Sequence, residues 1–198
     1  LLKAGESVRF EINAKNVTHK VQNGLKPFKN IKNIIAVGSG KGGVGKSTTS
    51  INIANALKNE GFSVGILDAD IYGPSMPKML GTKDKPVSKD NKSMEPIEID
   101  GMQAMSIGFL VDEKDAMIWR APMAVGALTQ LLNDTNWRDI DYLIIDMPPG
   151  TGDIQLTLSQ KIPVAGSVIV TTPQDIALID ARKGIDMFEK VDVPILGV

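Results

Sequence analysis

Gly40-Lys41-Gly42-Gly43-Val44-Gly45-Lys46-Ser47 matches the phosphate-binding pattern GxxxxGK[ST] over its full length. An apolar run, Ile34-Ile35-Ala36-Val37, precedes it, and a helix-like stretch from Lys46 to Asn59 follows. That context is what the motif needs, because it works only as a strand–loop–helix unit. The glycines let the backbone wrap closely, so that N–H groups from Gly40, Gly42, Gly43, Val44, Gly45 and Thr48 point at phosphate oxygens. The helix that follows adds the positive end of its dipole. In this pattern Lys46 brings a point charge to the β- and γ-phosphates, and the Ser47 hydroxyl ligates magnesium. A chance glycine-rich turn is the competing reading. Strand, helix and the Lys-Ser pair all fall in register, which favours a nucleoside triphosphate site.

Outward from the loop, strands and helices alternate. Apolar, β-branched runs occur at 34–37, 64–67, 142–145, 167–170 and 195–198, without the polar alternation of half-exposed strands. Helical stretches are expected at 46–59, 121–133, 153–160 and 175–190. In the first, Ile51, Ala54 and Leu57 recur at three-residue spacing and Gly61 follows as a stop signal. The expected fold is α/β, a three-layer P-loop NTPase arrangement with a mostly parallel sheet flanked by helices. The polar stretch from Thr82 to Gly101 reads as a surface loop or small hairpin.

Residues 1–30 differ from the rest. Val8-Arg9-Phe10-Glu11-Ile12 alternates like a short strand, and Lys26-Pro27-Phe28-Lys29-Asn30 reads as a polar linker. Residues 31–198 form the expected main domain. The chain opens on Leu1-Leu2-Lys3 and closes inside an apparent core strand, so a piece of a longer protein is expected.

Composition narrows the function. At 198 residues one well-buried α/β domain is affordable. The net charge of −1 gives no global field toward nucleic acid or an anionic membrane. No apolar run approaches the roughly 20 residues that a spanning helix requires. No signal peptide is visible. The expectation is a cytoplasmic protein engaging neither nucleic acid nor membrane. The absence of cysteine removes disulfides and thiolate metal ligands from these residues, and the single histidine, His19, precludes a multi-histidine site.

Two acidic stations lie at the carboxyl ends of expected strands, where open α/β sheets place their ligands. Asp68-Ala69-Asp70 follows the run 64–67, and Asp146-Met147-Pro148-Pro149-Gly150-Thr151-Gly152-Asp153 follows 142–145. Phosphoryl transfer asks for a magnesium ion, fixed positive charge and a positioned water. Asp146 fits the acidic group that holds magnesium through water. Asp70 is the candidate for orienting the attacking water or a magnesium-bound one, and Gly150 can bring its N–H to the γ-phosphate. A helix cap or turn former is the alternative for each aspartate. Asp153 is equally well explained as an N-cap.

Lys41, a cation inside the loop ahead of Lys46, is not required for cradling phosphate, and spacing alone allows a solvent-facing lysine. The form KGGxGK[ST] resembles the deviant loop of the MinD, ParA and nitrogenase iron-protein ATPases. That resemblance implies a homodimer in which Lys41 reaches the nucleotide of the facing subunit, as an arginine finger does. The segments 38–48, 65–75, 146–153 and 171–175, with Trp119-Arg120-x-Pro122-Met123, are similar to the Mrp/ApbC branch. The resemblance implies an ATP-hydrolysing carrier of iron–sulfur clusters to acceptor apoproteins. It also implies that residues 1–30 end a preceding small α/β domain. Lys41, Lys46, Asp70 and Asp146 become the expected catalytic set, with Ser47, Asp70 and Asp146 around magnesium.

Two departures stand out. Ala121 occupies a position where the family usually has glycine, a mild change. The family's cluster-binding Cys-x-x-Cys would fall beyond Val198, as would the asparagine that reads adenine, so this chain holds no cluster ligand. Trp119 and Arg120 read equally as a core aromatic beside a surface cation or as interface residues. Met76, Met79, Met102, Met105 and Met123 read as core and interface filling. A ParA/MinD-type positioning switch is the alternative function, and a carboxylate-activating ligase is a third.

Overall fold

The computed structural model describes residues 16–110 and 120–198. The strand expected at 8–12 and Trp119 lie outside the described residues.

Strand β1 (Ile31–Gly38) enters the glycine loop, and α1 (Lys46–Asn59) leaves it. Helix α1 ends where Gly61, at φ +90°, lets the chain turn back. The Gly61 N–H then bonds Lys58 O at 2.9 Å and the Phe62 N–H bonds Leu57 O at 3.2 Å, a Schellman stop. Strand β2 (Val64–Asp68), buried along its whole length, leads to a single helical turn, α2 (Met76–Met79). Strands β3 (Ile97–Ile99) and β4 (Met102–Ser106) form a hairpin. Its two turn residues, Asp100 and Gly101, both have positive φ, which suits the twist of adjoining strands. There follow α3 (Ala121–Asp134), β5 (Ile140–Asp146), α4 (Asp153–Lys161), β6 (Gly166–Ile169), α5 (Asp175–Lys190) and β7 (Ile195–Gly197).

The seven strands lie in the order β3-β4-β2-β5-β1-β6-β7, and only the β3–β4 pairing is antiparallel. Right-handed crossovers put α1 on one face, over β1, β5 and β2. They put α3, α4 and α5 on the other, with α4 touching both neighbours. The winding reverses at β1, so its carboxyl end opens on the crevice of a doubly wound sheet. The α/β, three-layer expectation holds, and all five apolar runs became strands.

The Thr82–Gly101 stretch holds one strand of the hairpin. Its partner β4, Met102-Gln-Ala-Met-Ser, was not anticipated. Its residues favour helix as much as strand, and pairing with buried β2 decides the matter. Ahead of β1, Phe28 packs on the core and Gln22 is buried.

Candidate functional site

Helix α1 buries Lys46, Ser50 and Ala54, positions four apart on one stripe that faces the sheet. Across from them β5 ends at Asp146, which is fully buried. The Lys46 ammonium donates to Asp146 Oδ1 at 2.7 Å. The Ser47 hydroxyl donates to Asp146 Oδ2 at 2.5 Å. Ser50 Oγ lies 2.8 Å from Asp146 Oδ1 and 3.0 Å from Lys46 O, so its one hydrogen has two acceptors in reach. One carboxylate thus fixes the start of the helix that carries the phosphate-binding lysine.

The two aspartates after β2 separate in role. Asp68 is fully buried and sits beside Asp146 in the β2–β5 register. It accepts the N–H groups of Asp70 (3.0 Å) and Met76 (3.1 Å) and the Ser106 hydroxyl (3.0 Å), which makes it a brace for the 69–76 loop. Burial pushes its carboxyl up to about 7, and the nearby Asp146 charge adds to the rise. Asp70 faces the opening instead, with Oδ2 3.7 Å from the Lys46 ammonium. Burial raises its pKa as well, against the lowering effect of Lys46.

Above these groups lies a cavity of about 170 Å³ whose lining includes Gly43, Gly45, Lys46, Ser47, Asp70 and Pro149. Gly43 (φ +78°) and Gly45 (φ +91°) hold left-handed conformations that a side chain would strain. Gly40 serves packing: a Cβ there would lie 2.4 Å from the backbone of Asp180 on α5. Lys41 is half-exposed on the loop and makes no ion pair with the described residues.

Gly150, expected to offer its N–H to the γ-phosphate, lies at the crossing of the two loops. It adopts φ +99°, and its N–H donates to Ser39 O at 2.9 Å, tying the 148–152 loop to the phosphate loop. To reach a phosphate, this N–H has to leave that carbonyl. Asp153 is the first residue of α4, while Gly152 is the N-cap, with no side-chain cap bond. The N-cap reading of Asp153 therefore fails, although its charge suits the helix N-terminus. Ala121 is the first residue of α3, and Arg120 is its exposed N-cap. Met76, Met102 and Met105 are core residues, whereas Met79 and Met123 are exposed.

Ser50, Ser106 and Ser39 were not singled out from sequence. The one available signal was for Ser50, a hydroxyl four residues after Lys46 on the stripe that leads to buried Ala54.

The donor set suits magnesium. Ser47 Oγ and Asp70 supply hard oxygen atoms, and Ser47 can coordinate through a lone pair while its hydrogen stays on Asp146. No cluster of three or more His, Cys, Asp or Glu poised for a metal exists among the described residues.

Comparison with known proteins agrees with this geometry. The family described as ParA, NUBPL iron-transfer P-loop NTPase, matches residues 30–198. An iron–sulfur cluster carrier protein of Pseudomonas fragi is 60% identical over 97% of this chain and 68% of its own length. One of Haemophilus influenzae is also 60% identical, over 100% of this chain and 54% of its own. The chain therefore spans between about half and two-thirds of these relatives. A nucleotide-binding protein of Archaeoglobus fulgidus, solved in complex with ADP, is 40% identical with a TM-score of 0.73, covering 85% of this chain and 65% of its own.

Proposed function

The chain belongs to the ParA family of NUBPL-type iron-transfer P-loop NTPases, and we propose that it binds and hydrolyses ATP with magnesium to drive iron–sulfur cluster transfer to acceptor apoproteins. The observation that carries the nucleotide half is the bonding of Lys46, Ser47 and Ser50 to one buried carboxylate, Asp146, beneath a glycine loop with an open cavity. Phosphate entering that cavity competes with Asp146 for the Lys46 ammonium, while Ser47 and Asp70 face the metal. Magnesium supplies charge stabilisation on the transferring phosphoryl group. Asp70, with its raised pKa, orients water at the cavity mouth.

The carrier half rests on the relatives' name, which favours it over a positioning switch. The 198 residues contain no cysteine, so none of them can supply a thiolate ligand to a cluster. Lys41, free of ion pairs among the described residues, suits a role across a homodimer, on the nucleotide of the partner. Residues 1–30 are proposed to be the end of a small α/β domain together with its linker, and the protein to work in the cytoplasm. Among the described residues no helix is long and apolar enough to cross a membrane.

Anaerobic reconstitution of the intact protein tests the carrier role: iron and sulfide uptake supports it, and none contradicts it. Mixing Lys41→Ala with Lys46→Ala subunits tests the shared site. Recovery of turnover in heterodimers is the expected outcome, and no recovery contradicts the role across the dimer.

A further inference from the structure

Gln22 is a polar residue in the segment that precedes β1, outside the nucleotide loop. It is 7% exposed. Its Nε2 donates to Ser159 O at 2.8 Å and to Ile162 O at 3.2 Å, and its Oε1 accepts the Val164 N–H at 2.9 Å. These groups belong to the last turn of α4 and the bend after it, where Ser159, Ile162 and Val164 are all buried. Helix ends leave carbonyls without intrahelical partners, and a buried one is costly unless something bonds it. One glutamine meets that need.

A second buried polar residue holds the same segment. Asn33 on β1 accepts the His19 backbone N–H at 2.9 Å and donates to Val17 O at 3.0 Å. Residues 17–22 are therefore a strap fixed at two points.

The other end of α4 reaches the nucleotide site. Gln155 in its first turn donates to the Pro148 carbonyl, and the loop that follows carries Gly150, bonded to Ser39. Nine residues of helix make a rod about 13 Å long at 1.5 Å per residue. We propose that Gln22 is a positioning residue: by plugging the carboxyl end of α4, it sets where that rod presents the 148–152 loop and couples the strap to the phosphate site. The nucleotide side of this coupling rests on the function proposed above, whereas the positioning does not. Coupling is reciprocal, so a ligand at the loop must also alter the strap.

Amide hydrogen exchange on the intact protein tests this. Gln22→Leu keeps bulk and removes all three bonds. Without nucleotide, the Gly150 N–H is expected to exchange about tenfold faster in Q22L, the loss that follows from unpairing buried groups. Ile144 in the core of β5 should keep its wild-type rate. Gln22→Glu retains the acceptor for Val164 but sets a carboxylate against the Ser159 and Ile162 carbonyls in a buried site, and should give a rise at Gly150 at least as large as that of Q22L. An unchanged Gly150 rate in Q22L overturns the proposal. So does equal acceleration of Gly150 and Ile144 in both variants, which signals general loss of stability. With ADP added, the Val164 N–H should slow about fivefold in the wild type and not in Q22L. Bound ADP without that slowing overturns the coupling. Failure of ADP to bind contradicts the proposed function instead, and the nucleotide-free comparison still decides the positioning.

Discussion

Lys46 and Asp146, 100 residues apart in sequence, meet with an ammonium–carboxylate distance of 2.7 Å in a site where neither is more than 6% exposed. A buried pair of this kind is costly to break from one side, because the remaining charge stays out of water. Asp146→Asn should therefore lower unfolding stability by about 3 kcal/mol. Urea denaturation of the two proteins checks this, and a change within error would mean that Asp70 already compensates Lys46.

Ser50 holds Asp146 Oδ1 from behind, out of reach of the cavity. Ser50→Ala should leave the fold intact and raise the magnesium concentration needed for half-maximal ATP turnover about tenfold, as loss of a supporting hydrogen bond around a metal site does. A magnesium titration of the steady-state rate reads this directly. An unchanged magnesium requirement would make Ser50 a packing residue only.

The glycines of the loop are not equivalent. Gly40→Ala drives a methyl group to 2.4 Å from the Asp180 backbone, so α5 must move, at a cost of about 1–3 kcal/mol. Gly42→Ala meets nothing within 4 Å and should leave the melting temperature unchanged. Thermal melts of the two variants side by side give the comparison.

Asp68 predicts a pH dependence. Its folded pKa, about 7, stands above the ordinary 3.8, so the folded state binds the extra proton in that interval. Stability from this group is fully present below about pH 4 and falls as pH rises through about 7. Asp68→Asn should flatten that part of the stability–pH curve, measured as melting temperature from pH 4 to 8. A curve of unchanged slope would remove Asp68 as its source.

Local signals were sufficient for much of this architecture. The strand–loop–helix unit around Gly40–Ser47 has its own periodicity and stop signal at Gly61, and each apolar run was long enough to declare a buried strand. What escaped depends on partners distant in sequence. Strand β4 is a strand because β2 lies beside it, not because Met102-Gln-Ala-Met-Ser favours one. Asp68 and Asp70 are two residues apart with the same chemistry. Only the sheet register and the position of Ser106 make the first a brace and the second a cavity group. Nothing local marks Gln22 or Asn33 for burial, because the backbone groups they satisfy lie up to 142 residues away. Gly150 was expected to offer its N–H to the γ-phosphate, and its bond to Ser39 O, which depends on how two loops meet, could not be read from spacing.

The Lys46–Asp146 cluster under the glycine loop is proposed to bind and turn over ATP. Phosphate release by the intact protein with magnesium and ATP, compared with Lys46→Ala, tests it most directly. Steady turnover by the wild type is expected, with a loss of at least about a hundredfold in the variant, the scale seen when a preorganised charge on the transferring group is removed. Equal turnover by the two proteins would contradict it.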